Sequence, residues 1–355
     1  MVNNKTLIVV GAGAGKEIGM PAGAELKNQI SQLLNIRLDY SERHTGGDKE
    51  IFDAFHLATS QSGMPSNSIN DYLVNSWRIC AAMPQAISID NFIDNHRNNK
   101  LIEIAGKLAI VRSILKAEKS SHLYFDRDRA KSTINYQAVE NTWYNLFMQL
   151  LTENCPIEEL ADRLSKIVFI IFNYDRCVEH FICNAIENYY GVDRKVASKL
   201  VNEIEIYHPY GSIGGLSWQN KEKTIDFGSD IHPRTLLELS SQIKTFAEGT
   251  DSKKSAIDDI RQTLLEARIV IFLGFAFHRQ NMELLKPERR AHSGSADNEY
   301  YATAFGYSES GAESIERDIG GLLEVGAKKL FVRRDLKCNE LLREYWRDLA
   351  LSFNY

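Results

Sequence analysis

Residues Lys5-Thr6-Leu7-Ile8-Val9-Val10 form a short apolar run, rich in β-branched side chains, and Gly11-Ala12-Gly13-Ala14-Gly15 follows at once. A continuous apolar run of this kind reads as a strand buried on both faces, as in a parallel sheet. Three glycines in five residues permit a sharp turn and a close backbone approach. The next stretch, Pro21-Ala22-Gly23-Ala24-Glu25-Leu26-Lys27, has helical composition. Strand, glycine turn and helix together make a site for phosphate, because backbone amides and a helix N-terminus attract anions. On these residues alone, a tight turn with no ligand is an equal alternative.

The turn nearly matches two motifs and fits neither. The dinucleotide fingerprint needs a glycine three residues after Gly13, where the chain has Lys16. The P-loop needs four residues between its glycines, then Lys and Ser or Thr; only three separate Gly11 from Gly15, and Lys16 precedes Glu17. Glu17 repels phosphate and cannot replace a magnesium-binding hydroxyl, so a kinase or ATPase is rejected.

At 355 residues the chain can bury a large core, and with 44% hydrophobic and 25% charged residues it reads as a soluble globular protein. A formal net charge of −5 gives no global basic field to attract nucleic acid. No apolar run is long enough to span a membrane, and Met1-Val2-Asn3-Asn4 leads directly into the first strand without a signal peptide, so a cytoplasmic location is expected. The cysteines are Cys80, Cys155, Cys177, Cys183 and Cys338, odd in number and scattered, which suits a reducing compartment. They contain no Cys-x-x-Cys pair, so no metal site and no zinc are expected.

From Ala24 to Arg163 apolar residues recur at helical spacings over Glu25–Leu34, Ile51–Thr59, Ile69–Ala81, Ile89–Leu115 and Tyr136–Leu151. This reads as a large helical insertion, residues 24–163, with loops at Ser41–Lys49 and Ser60–Ser68. Ser88 or Asp90 is available as a helix cap, and Trp143, Tyr144, Phe147 and Leu151 read as helical core. Strands resume at Ile167–Phe172, Ile204–Tyr207, Ala267–Leu273 and Lys329–Val332, with helices over Cys177–Tyr190, Pro233–Leu265 (broken at Gly249–Lys254) and Ala312–Val325. The alternation predicts an α/β fold with a Rossmann-like parallel sheet.

Four of the strands end in polar or glycine-rich turns: Gly11–Gly15, Asn173–Asp175, His208–Ser212 and Gly274–Asn281. In an open parallel sheet, ligands bind outside the carboxyl ends of the strands, so adjacent strands would bring these turns to one crevice.

These motifs resemble the sirtuin, or silent information regulator, family. The family's Gly-Ala-Gly turn is matched by Gly11-Ala12-Gly13, and its Gly-x-Pro triplet by Gly19-Met20-Pro21. Its Asn-x-Asp turn is matched by Asn173-Tyr174-Asp175, its catalytic His near a glycine by His208 with Gly211, and its later strand-to-glycine turn by Phe272-Leu273-Gly274-Phe275. The matches run in family order from Val9 to Asn281, and leave the insertion uncovered. Family deacetylases carry an acidic-aromatic-arginine sequence where this chain has Ala22-Gly23-Ala24, a Ser where it has Gly15, and four zinc-binding cysteines after the catalytic His, where it has none before Cys338. Pro209 and Tyr210 also separate His208 from its glycine. In these departures the chain is similar to the divergent bacterial sirtuin-like proteins of anti-phage defence, which lack the zinc module and break down NAD; some pair with a HerA-type ring ATPase or form filaments or rings.

The resemblance implies a single sirtuin-like domain, residues 1–355, that hydrolyses NAD+ to nicotinamide and ADP-ribose and depletes NAD in abortive infection. Asn173 and His208 are then the catalytic residues, Asn173 orienting ribose hydroxyls or water and His208 accepting a proton. The NAD-binding set is Gly11, Ala12, Gly13, Gly15, Met20, Pro21, Asp175, Gly211, Ser212, Gly274, Phe275 and Asn281. Within it the 11–13 amides meet the pyrophosphate, Asp175 the nicotinamide carboxamide, and Gly274 and Phe275 the adenosine side. A homo-oligomer is implied, with a HerA-type ATPase as a separate partner, no membrane and no direct nucleic-acid contact. Two other readings stay open: an NAD-dependent deacylase or ADP-ribosyltransferase, and a non-catalytic module sensing NAD or ADP-ribose.

Each residue also has a purely structural reading. Asn173 alone is a turn former or cap, and His208 alone is a packed ring beside Tyr207, Pro209 and Tyr210. His180 reads as core or surface, the 278–281 run as a solvated loop with a weak ligand signal at Asn281, and Lys253-Lys254 and Lys328-Lys329 as solvated pairs. Arg289-Arg290, near Lys286, also reads as solvated.

Overall fold

A computed structural model describes residues 5–61, 68–127, 132–219, 221, 223–249, 256–287, 298–322 and 328–353. Lys253, Lys254, Arg289 and Arg290 lie outside the described residues.

The chain enters through β1 (Thr6–Val10), buried along its length. Instead of a simple turn, Ala12–Ile18 then winds as a 3-10 helix that ends on Gly19 at φ 86°, a left-handed conformation open to glycine. Seven helices follow: α1 (Gly23–Leu34), α2 (Lys49–Gln61), α3 (Ile69–Ala82), α4 (Ile89–Asn95), α5 (Lys100–Ser120), α6 (Trp143–Thr152) and α7 (Ile157–Ser165). A short antiparallel ribbon, β2 (Arg37–Leu38) with β3 (His44–Gly46), replaces part of the loop expected at 41–49. The apolar period from Ile89 to Leu115 is interrupted because the Asn99 side chain accepts the Leu101 and Ile102 amides at 3.1 and 3.2 Å, starting a new helix there. The last predicted helix of the insertion begins seven residues late, at Trp143, where the Thr142 hydroxyl caps it.

The sheet resumes with β4 (Ile167–Ile171), followed by α8 (Cys177–Tyr190), α9 (Arg194–Val201) and β5 (Glu205–Tyr207). Helices α10 (Pro233–Ser240), α11 (Phe246–Gly249) and α12 (Ile257–Glu266) lead to β6 (Ile269–Leu273) and α13 (Arg279–Leu285). The chain ends with β7 (Glu299–Thr303), α14 (Glu309–Leu322), β8 (Lys329–Arg333), α15 (Cys338–Glu344) and α16 (Trp346–Phe353).

The described residues contain one six-stranded sheet, all parallel, in the order β5-β4-β1-β6-β7-β8. Counted along the chain, that is third, second, first, fourth, fifth, sixth: the doubly wound order of dinucleotide-binding folds, with its switch point between β1 and β6. β1, β4 and β6 are Val-, Ile- and Leu-rich because helices cover both faces, and each such side chain fully buried stabilises by about 1.5–3 kcal/mol. Val10 lies level with Ile171 on one side and Leu273 on the other. The turns leaving the three central strands therefore emerge together.

α5 runs through the insertion buried on nearly every side. Its charged positions are paired: Arg112 with Asp48 and Glu50, and Glu118 with Arg176 of the β4–α8 connection, both members fully buried. Arg176 also donates to the carbonyls of Gly215 and Ile225, which ties the insertion to the segment after β5. Among the described residues no helix is long and apolar enough to cross a membrane.

Candidate functional site

A cleft of about 980 Å³ opens over the carboxyl ends of the strands, at the switch point. Of the residues expected to bind or act there, Gly11, Ala12, Gly13, Met20, Pro21, Asn173, Asp175, Gly274, Phe275 and Asn281 line it. Gly15, His208, Gly211 and Ser212 are not on its wall. Gly15 lies against Met20, where a Cβ would come 2.8 Å from the Met20 Cβ. Gly211, at φ +75°, packs against the Gln242 carbonyl. The Ser212 hydroxyl reaches the Gly214 carbonyl at 3.5 Å.

The glycines of the first turn serve the sheet. The Gly11 amide donates to the Leu273 carbonyl and the Gly13 amide to that of Gly274, both at 3.0 Å, while the Ala14 amide donates to Gly11. A Cβ on Gly13 would stand 2.9 Å from the Gly274 Cα, and one on Gly11 2.6 Å from the Gly274 carbonyl oxygen. The expectation that the Gly11 and Gly13 amides face pyrophosphate is thus corrected: both are taken by the neighbouring turn. A phosphate in the cleft has instead the side chains of Lys16, Arg279 and Lys337 on the wall. Lys16 pairs with Glu25, and Arg279 with Glu283 at 2.9 Å, both pairs largely exposed.

Glu17 turns out to be a structural anchor. Its two carboxylate oxygens accept the backbone amides of Trp143, at 2.6 Å, and Asn339, at 2.9 Å. Those amides open α6 and α15, so one carboxylate caps two helices and complements both dipoles. The Trp143 indole donates to the Ala14 carbonyl at 3.0 Å. Burial pushes the Glu17 carboxyl up, and these amide bonds offset only part of that.

Asn173 projects from the end of β4 and donates its Nδ2 to the Gly11 carbonyl at 3.2 Å. Behind it, the His208 Nδ1 meets the Asn173 backbone carbonyl at 3.2 Å and the Nε2 meets Glu179 Oε1 at 3.0 Å. Both ring nitrogens are engaged, so in this arrangement His208 positions Asn173 from behind the wall. Burial pushes the Glu179 carboxyl up, but the charge and hydrogen bond of His208, together with the Lys221 charge and a backbone hydrogen bond, hold it below its usual range. Asp175 accepts the Cys177 amide at 3.1 Å, starting α8, and burial raises its pKa. Asn281 is held by the Tyr210 hydroxyl at 2.7 Å.

Sequence reasoning did not place Ser88, Asp90, Asn91, Thr303, Phe305, Tyr307 or Lys337 on the cleft. Ser88 and Asp90 were legible only as possible caps. Phe305 and Tyr307 follow β7, a strand absent from the expected series. Among the described residues no group of three or more His, Cys, Asp or Glu side chains is arranged to hold a metal ion. His180 stacks on Phe227 at 3.9 Å and its ring reaches the Leu123 carbonyl, a core role. Lys328 and Lys329 both pair with Glu299.

The chain matches no protein-family model, and no curated protein is significantly similar to it.

Proposed function

We propose that the cleft binds NAD+ and hydrolyses its nicotinamide–ribosyl bond. The observation that carries this reading is the placement of Asn173: a fixed amide after β4, on the cleft beside the switch point of a doubly wound sheet, bonded to the first glycine turn and braced by His208. Breaking this bond leaves the electron pair on the nicotinamide nitrogen and a cation on the ribose, so the leaving group needs no acid. The site's work is to orient the ribose, stabilise the cation and admit water. With Nδ2 given to Gly11, the Asn173 Oδ1 is the acceptor for a ribose hydroxyl or the water. His208 contributes by fixing Asn173. The resemblance to sirtuin-like defence proteins, rather than the cleft, supports NAD depletion in anti-phage defence, a homo-oligomer and a HerA-type ATPase partner.

A second reading is a sensing module that binds NAD+ or ADP-ribose without turnover. It is favoured by the engagement of both His208 nitrogens, which leaves that ring no free base. Incubating the full chain with NAD+ and resolving nicotinamide and ADP-ribose by chromatography tests the two. Equimolar release of both products supports hydrolysis. Binding without release, in any assembly state tried, supports the sensor.

A further inference from the structure

One end of the cleft is closed by α4, which the insertion supplies. The Ser88 hydroxyl accepts the Asn91 amide at 3.0 Å and starts this helix, which sets Asp90 on the cleft wall. Asp90 is half-buried and lines the cleft. Tyr174, between Asn173 and Asp175, donates its hydroxyl to Asp90 Oδ1. Tyr210 lies close by: burial raises its phenol, and the Asp90 and Asp94 charges raise it further. Phe172, on the same wall, packs edge-on against Tyr210 at 5.8 Å between centroids.

This end therefore combines a carboxylate with three aromatic rings. The basic side chains of the cleft follow β1, β6 and β8, whereas Tyr174 and Tyr210 follow β4 and β5, the two strands on the other side of β1 from β6. Such a division suits a ligand with an anionic middle and a flat cationic end, since ring faces and a carboxylate both attract a planar cation. Burial pushes Asp90 up to about 6, which leaves it largely ionised at neutral pH.

We propose that Asp90, held by Tyr174, makes this cleft select the oxidised, cationic nicotinamide ring over the neutral reduced ring. The proposal rests on the NAD+ reading above. It gives the insertion a part in recognition: α4 reads the charge that distinguishes NAD+ from NADH. Once the ring is cleaved off it is neutral, and this attraction ends.

The test is calorimetric titration at pH 7.5 of the full-length Asn173→Ala variant, in which NAD+ persists, with NAD+, NADH and ADP-ribose. The parent is expected to bind NAD+ about tenfold or more tighter than NADH. Adding Asp90→Asn is expected to shrink that ratio to about twofold or less, with ADP-ribose affinity unchanged within about twofold. A ratio that survives Asp90→Asn, or equal binding of NAD+ and NADH by the parent, overturns the proposal and leaves the NAD+ reading standing. If none of the three nucleotides binds, the NAD+ reading fails and takes this proposal with it. Should Asp90→Asn not fold, Tyr174→Phe keeps the carboxylate and frees it; a lower ratio than the parent is expected, and an unchanged one overturns the proposal.

Discussion

The imidazole of His208 bonds the backbone carbonyl of Asn173 at 3.2 Å and not its side chain. A ring placed so acts on the orientation of its neighbour, so His208→Ala is expected to lower kcat and leave KM nearly unchanged. A rate loss of about 10²-fold is consistent with misplacing a single orienting group. A pH profile that keeps its shape in the variant, with only its height reduced, marks positioning. Loss of a limb near neutrality marks a base in contact with the reacting atoms.

Glu179 gives the same pair a pH signature. Its carboxyl lies below the ordinary value of 4.5 in the fold. A group with a lowered folded-state pKa stabilises the fold above its unfolded value, and that stability is lost as pH falls through the folded value. Glu179→Gln is therefore expected to be less stable than wild type at pH 7, with the gap narrowing below pH 4.5. Urea unfolding at a series of pH values measures it, and a gap constant with pH contradicts it.

Glycine at position 274 is required by packing: it sits at φ 56°, and a Cβ there would meet the Ala14 amide nitrogen at 2.0 Å. Backbone on both sides cannot yield cheaply, so Gly274→Ala is expected to cost about 2–4 kcal/mol or more, or to prevent folding. Gly13→Val should fail in the same way and so report on the fold before it reports on binding. Native-like melting of either variant would contradict this account of the two turns.

Glu17→Ala is expected to destabilise by about 2–4 kcal/mol, because it strips the acceptor from the first amides of α6 and α15. Glu17→Gln, which keeps one carbonyl oxygen, should lose less. Chemical denaturation ranks the two, and equal losses would point to packing.

Much of this architecture is legible in the sequence for a simple reason. β1, β4 and β6 are uninterrupted apolar runs bounded by glycine or Asn turns, and their burial on both faces makes them so. β7 escaped because it holds no Val, Ile or Leu: Glu299 opens it, with its carboxylate met by the Tyr301 hydroxyl at 2.8 Å and by Lys329, and two tyrosines, an alanine and a threonine follow. Position on the cleft was legible for Asn173, Gly274 and Asn281, which follow strands. It was not legible for Asp90, which reaches the cleft only through the packing of α4. Glu17 reads in sequence as a residue that excludes phosphate, and its two amide partners lie 126 and 322 residues away.

Turnover and affinity measured together in Asn173→Ala decide whether this cleft hydrolyses NAD+. Nicotinamide release from NAD+ is followed for wild type and variant, and NAD+ binding is titrated on each. Hydrolysis in this cleft predicts that the variant binds NAD+ within a few-fold of wild type and releases nicotinamide about 10²–10⁴-fold more slowly. Wild-type turnover in the variant, or wild type that binds NAD+ and never cleaves it, would contradict the account.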